Sequence, residues 1–218
     1  MKYSQFFALK FPDCFEIKIA ETPLELEEAY RLLYKVYLEA GYTKPNLLGL
    51  RVFEYNYLQT TKTFIAKTKG QKRELVGTIT IIDGIHTKLP IEKIYEKEIL
   101  PLRQRNIPLA EISGLAIHRK YRFKNVCQYL SQYVAAYALL KDMENLLIAV
   151  HPKHKDFYQK CLGFQQIGEE KPYPTAQGNP SVALYLNLKE RLKNTNCSYI
   201  SKNIPQASSQ VAIEIANL

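Results

Sequence analysis

The sequence predicts an α/β fold in which a mixed central sheet carries helices on both faces. Two observations lead there. Strand-like and helix-like segments alternate along most of the chain. In addition, LAEISGLAI (109–117), an apolar helical stretch (125–143) and the unbroken apolar run LLIAV (146–150) make a strand–helix–strand unit. Such a crossover requires its two strands to be parallel and places them side by side. A strand as uniformly apolar as 146–150 belongs in the middle of a sheet covered on both sides.

The other elements follow in order. FEIKIA (15–20) alternates as a first short strand. Thr22, Pro23 and Glu25 have the spacing of a helix cap, a first helical position and a capping box. Leu26, Tyr30, Leu33 and Tyr37 then recur at helical spacing up to a stop at Gly41, and 42–60 reads as irregular. KTFIAKT (62–68) and ELVGTITIID (74–83) form a hairpin about the turn at Lys69, Gly70, Gln71 and Lys72. A helix over 90–100 puts Ile91, Ile94 and Tyr95 on one face and is expected to end at Pro101. A basic turn (118–124), a short helix (153–164) closed by Gly163 and a last strand (181–188) complete the order. The early strands make an antiparallel wing. Residues 1–191 read as one domain and 192–218, rich in Asn, Ser and Gln, as a tail.

Composition narrows the function classes. The chain of 218 residues is 46% hydrophobic and 23% charged, as in a globular protein large enough to bury its own core. Cys14, Cys127, Cys161 and Cys197 are scattered without a C-x-x-C pair, which offers neither a metal site nor a disulfide framework and fits reduced thiols. The first twenty residues lack a sustained apolar core, so no signal peptide is read and a cytoplasmic location is expected. A net charge of +9 favours an acidic partner. No zinc-finger, RNP or basic-zipper pattern accompanies it, so nucleic acid is set aside in favour of acidic proteins, phosphorylated ligands or an anionic membrane surface.

Four stretches carry a resemblance. They are RLLYKVY (31–37), the segment 89–105, EISGLAI (111–117), and HPKH (151–154) followed by FY (157–158) and LGF (162–164). In this order they resemble the GNAT-type acyltransferase fold, and within it the N-acyl amino acid synthases and the related acyl-homoserine-lactone synthases. Two positions depart from the family pattern: Gly114 stands where the strand motif has Arg, and Lys35 where Arg is common. The turn between the central strand and helix, RKYRFKN (119–125), has none of the glycines that let a backbone cradle a pyrophosphate.

The resemblance implies acyl transfer from a phosphopantetheine thioester, on acyl carrier protein or as acyl-CoA, to the amine of an amino acid or other small amine, with no metal. Glu111 is the candidate general base. On an apolar strand its carboxylate is desolvated and its pKa raised, and regular alternation puts Ser113 and Leu115 on the same face. The alternative role is a brace paired with a cation. Tyr158 is the candidate acid for the leaving thiolate, or a packing residue. His118 and His151 end the two parallel strands and stand as a proton relay or as solvated loop residues; His151 is taken as the catalytic candidate. Leu115, Ala116 and Ile117 would offer backbone amides, and Arg119, Lys120, Arg122 and Lys124 would hold phosphate or dock the carrier. Arg31, Lys35, Tyr37 and Ser113 would bind the acceptor. A CoA-dependent acetyltransferase and a non-catalytic carrier- or lipid-binding module remain the competing readings.

Overall fold

The structure, a computed structural model, describes residues 14–193. Seven strands form one sheet: β1 (Phe15–Ile19), β2 (Thr61–Thr68), β3 (Leu75–Asp83), β4 (Leu109–Ile117), β5 (Asn145–Val150), β6 (Gln165–Tyr173) and β7 (Asn179–Asn187). Their order across the sheet is β1-β2-β3-β4-β5-β7-β6. β4 and β5 run parallel and every other neighbouring pair is antiparallel, so the mixed sheet with its antiparallel wing is present. β6 is an addition to the expected order. Its sequence QQIGEEKPY has charges and a proline, which an edge strand tolerates because one side of its backbone faces solvent.

Helices cover both faces. α1 (Pro23–Glu39) begins with the expected capping box: Thr22 Oγ1 accepts from the Glu25 amide at 3.2 Å, and Glu25 Oε2 accepts from the Thr22 amide at 3.4 Å. It turns Ala29, Leu32 and Leu33 onto the sheet. α2 (Glu92–Gln104) lies on the same side and packs near β6. It runs through Pro101 rather than ending there. Pro101 and Lys97 are both exposed, so solvent can meet the carbonyl that proline leaves without its helical donor. The helix bends instead at Tyr95, whose backbone is non-helical. That bend drives a fully buried ring across β6, where a Cβ on Gly168 would sit 2.5 Å from Tyr95 Cδ1. The Tyr95 hydroxyl donates to the Ser181 carbonyl at 2.6 Å.

The opposite face carries α3 (Val126–Leu140), with Val126, Leu130, Tyr133 and Val134 in the main core. Full burial of a side chain such as Leu130 contributes about 2 kcal/mol. α4 (Lys155–Phe157) continues as a π-helical turn over Tyr158–Leu162, and α5 (Leu188–Lys193) ends the described chain. The rest of the expected tail lies outside the described residues.

Two details position the site. β4 and β5 share only three residue pairs, ending at Glu111 with Leu147, and then part. Asn145, buried at the joined end, fixes it: Nδ2 donates to the Pro108 carbonyl at 3.2 Å, and Oδ1 accepts from Tyr185 Oη at 2.7 Å and Asn187 Nδ2 at 2.8 Å. The second detail is the loop before α2. Glu92 takes the Leu89 amide at 2.7 Å and Arg103 Nη2 at 2.6 Å, while Arg103 also donates to the Gly84 and Thr87 carbonyls. Breaking a mostly buried pair leaves an uncompensated charge. Arg103→Met is therefore expected to lower stability by about 3 kcal/mol, read from urea unfolding midpoints.

Candidate active site

Beyond Glu111 the backbone edge of β4 facing β5 has no strand partner, while its other edge stays on β3. Backbone groups must be paired or solvated, so this gap is where a ligand can bind them. The His118 amide donates to Val76 on β3, and alternation turns the Ile117 amide the other way, towards the gap.

Glu111 sits at the apex where the strands part. It is 2% exposed, and its Oε2 accepts from the Ile91 amide at 2.8 Å. Burial, opposed by that bond and reinforced by the nearby Glu92 carboxylate, raises its pKa to about 8. The Glu92–Arg103 pair holds the loop that supplies the Ile91 amide, so it positions Glu111 from behind. No cation is paired with Glu111 among the described residues, so it is not a charge-paired brace. Ser113 lies on the same face, its Oγ 3.0 Å from Tyr55 Oη.

Leu115 does not share that face. Gly114 has φ +59°, and Gly114 and Leu115 together oppose one residue of β3, a glycine-type β-bulge. The extra residue shifts the alternation. Leu115 joins Ile112 against the α3 core, and Ala116 packs beneath Leu32 and Leu33 of α1. The bulge thus makes β4 present polar groups to one face and an apolar wall to the other.

On the apolar side a cavity of about 100 Å³ is lined by Ile112, Leu115, Val134, Ala135, Leu139, Ile148, Leu162 and Leu186 among others. Tyr158 is part of its wall, with its ring edge-on to Phe164 at 5.9 Å. Burial raises the Tyr158 pKa, and Cys127 of α3 and Tyr37 of α1 add to it, so the phenol stays protonated at neutral pH. Tyr158 thus lies at the wall of the apolar cavity, in reach of groups from both helical layers.

On the polar side stands a group that the sequence reading missed. Arg51 is 8% exposed, with its guanidinium 4.8 Å from the Tyr37 ring centroid and 4.6 Å from that of Phe53. Tyr173 feels both Arg51 and Glu111, and burial raises its pKa. Tyr55, likewise raised by burial, feels Glu111 and Tyr37. Glu111, Ser113, Tyr37, Arg51, Tyr55 and Tyr173 therefore form one polar, aromatic-walled cluster. The only signal for Arg51 in the sequence is a lone cation in the apolar run LRVF (50–53), which is weak.

Other expected residues lie elsewhere. Arg31 is exposed; it pairs with Glu27 at 2.7 Å and donates to the Leu48 carbonyl at 3.3 Å, pinning the following loop to α1. Lys35, one turn on, is exposed on the same side. Helical phase explains both, because the inward stripe is Ala29, Leu32, Leu33 and Val36. His118 and His151 make no contact with each other; each caps its own 3-10 turn, taking the Lys120 amide at 3.4 Å and the Lys153 amide at 3.2 Å. His151 also stacks on Tyr42, whose ring meets Tyr37 edge-on at 5.6 Å, so it borders the cluster at one remove. Burial and Lys153 lower its pKa. Arg119, Lys120, Arg122 and Lys124 project from an exposed turn; Arg122 reaches Glu39 at 3.4 Å, and Lys124 lies 5.2 Å from the Tyr121 ring.

The family description N-acyl amino acid synthase FeeM matches residues 28–187. The chain belongs to this family. It is an N-acyltransferase with a GNAT-like fold. Among solved structures it is similar to FeeM, an N-acyl amino acid synthase from uncultured soil microbes, with 28% identity, TM-score 0.73, and coverage of 86% of this chain and 97% of that one. The acyl-homoserine-lactone synthase LasI shares the fold at 18% identity and TM-score 0.61, over 80% of this chain and 90% of its own. So does BjaI, a CoA-dependent acyl-homoserine-lactone synthase solved with SAM and isopentyl-CoA, at 15% identity and TM-score 0.61, over 87% and 90%. No curated protein sequence matches the chain. Among the described residues of this acyltransferase, no helix is long and apolar enough to cross a membrane.

The raised Glu111 pKa has a measurable effect on stability. Unfolded, the group ionises near the ordinary 4.5; folded, near about 8. The stabilisation from keeping it neutral is complete below the lower value and is lost as pH rises through the higher one. Glu111→Gln has nothing to ionise. Its stability relative to the wild type is expected to rise between about pH 5 and 8, by at most about 1.4 kcal/mol per unit, in denaturant titrations across that range.

Proposed function

We propose that this enzyme transfers a fatty acyl group from the phosphopantetheine thioester of an acyl carrier protein to the amine of an amino acid. One observation carries the reading: a desolvated carboxylate and an apolar cavity ending at a protonated phenol flank the same parted strand. The first suits an amine acceptor and the second an acyl chain. The exposed basic turn 118–125, with Phe123 at its tip and no glycine for a close pyrophosphate grip, favours an acidic carrier protein as donor.

The chemistry follows from the placement. Deprotonated Glu111 takes a proton from the acceptor amine, whose nitrogen bonds to the thioester carbonyl carbon. The backbone amides of β4 at the Gly114 bulge, nearer to Glu111, would donate to the oxyanion, and the Ile117 amide farther along the open edge would hold the pantetheine arm. When the carbon–sulfur bond breaks, the Tyr158 hydroxyl supplies the proton to the departing thiolate. The resulting phenolate and the protonated Glu111 exchange the proton through the site or solvent, which restores both.

A base with a pKa of about 8 is only partly ionised at neutral pH. Accordingly kcat/KM should climb through that value, and Glu111→Gln should lose this limb together with about a hundredfold in kcat. Incubation with mixed acyl-carrier thioesters, acyl-CoAs and all amino acids, read by mass spectrometry, decides the substrates. Fatty acyl amino acids made from carrier thioesters support the proposal, whereas product from acyl-CoA alone supports the CoA-dependent reading. Ala135→Phe fills the cavity from α3 and should shift product distributions towards shorter chains; an unchanged distribution would place the acyl chain elsewhere.

A further inference from the structure

Buried charges in folded proteins are paired with opposite charge or fully hydrogen-bonded, because removing an ion from water is costly. Arg51 departs from this rule. It is more than nine-tenths buried and no carboxylate pairs with it among the described residues. Among the described residues its side chain donates from Nη2 to the Thr175 carbonyl at 2.7 Å, and its Nε is shut off from solvent without a partner. The guanidinium lies between Tyr37 and Phe53, whose ring faces supply part of the missing counter-charge and fix its plane. Both ends of the residue are tethered. The Arg51 amide donates to the Tyr30 carbonyl of α1, and the hairpin tip carrying Thr175 is tied to the end of α1 through Asn179 Nδ2 and the Gly41 carbonyl, 3.0 Å apart. A second unsatisfied atom lies beside the same ring system. The Tyr42 hydroxyl is also shut off without a partner, in a ring that packs edge-on against Tyr37.

A planar cation held rigidly with free donors suits a planar, bidentate anion. Phe53, under the guanidinium, stacks on Tyr55 at 5.0 Å, and the Tyr55 hydroxyl meets Ser113 at 3.0 Å, two positions along β4 from Glu111, so the anion and the reacting amine would occupy one cluster. From this geometry we infer that Arg51 holds the α-carboxylate of the acceptor and makes the enzyme select amino acids over simple amines. This rests on the amine-acceptor reading above and names the acceptor group that the pocket recognises.

Calorimetry with matched pairs tests it, each pair being an amino acid and the amine of the same side chain lacking the carboxylate, such as phenylalanine with phenethylamine and leucine with 3-methylbutylamine. A charge-assisted bidentate contact predicts that wild-type protein binds at least one amino acid about ten- to a hundredfold more tightly than its amine. Arg51→Met should erase that ratio, and Arg51→Lys should restore part of it. Circular dichroism and melting curves establish that the variants are folded, and the wild-type arm decides even if they are not. Equal binding of acid and amine by the wild type, failure of every amino acid to bind, or a ratio that survives in folded Arg51→Met would each overturn the inference. Acyl-transfer assays on the same pairs separate this from the proposed function. A carboxylate preference in binding without any acyl product removes the catalytic reading and leaves the Arg51 site. Transfer that is indifferent to the carboxylate does the reverse.

Discussion

Three residue pairs join β4 to β5, and the site depends on their stopping at Glu111. A longer ladder would satisfy the β4 edge and leave no free backbone donor in the middle of the sheet. A shorter one would let the strands separate at the base, where Asn145 ties the Pro108 carbonyl to two side chains of β7. The gap is thus closed at one end by a buried amide network and open at the other, where pairing stops after Glu111. Glu111 occupies the last paired position, as deep as a carboxylate can lie while still facing the opening.

The surroundings of that carboxylate form a consistent whole. Arg103 neutralises Glu92 and binds two carbonyls of the preceding loop, which presents the Ile91 amide to Glu111. One hydrogen bond orients the group without supplying a full charge, so burial dominates and the carboxyl is reluctant to ionise. A cation salt-bridged to Glu111 would have made it a permanently charged and weak base. Arg51 instead sits between the Tyr37 and Phe53 rings, without a bond to Glu111.

Much of this architecture was legible in the chain. Alternation and the apolar run at 146–150 disclosed the parallel pair, and the capping box marked the start of α1 to the residue. Glu111 in an apolar strand announced its own desolvation. What stayed hidden has physical causes. β6 is charged and contains a proline because it lies on an edge, so its pattern resembles a loop. Leu115 changes face because Gly114 inserts a left-handed residue, and period-two reasoning cannot see a bulge. Arg31 and Lys35 fit a motif but fall on the outer side of a helix whose inward stripe is offset from them. Arg51 comes from an irregular segment, where no periodicity tells which side chains turn inward.

The bulge at Gly114 also governs traffic. It gives one strand two unlike sides, so on the proposed reading thioester and amine enter through separate doors and neither bars the other. Both substrates would then be aboard together, and initial-rate plots should intersect rather than run parallel, with no acylated protein along the way. The finished amide would thread the sheet like a bolt, its lipid tail on one side and its polar head on the other. Departure means drawing one end through the opening, so turnover should slow as the tail lengthens.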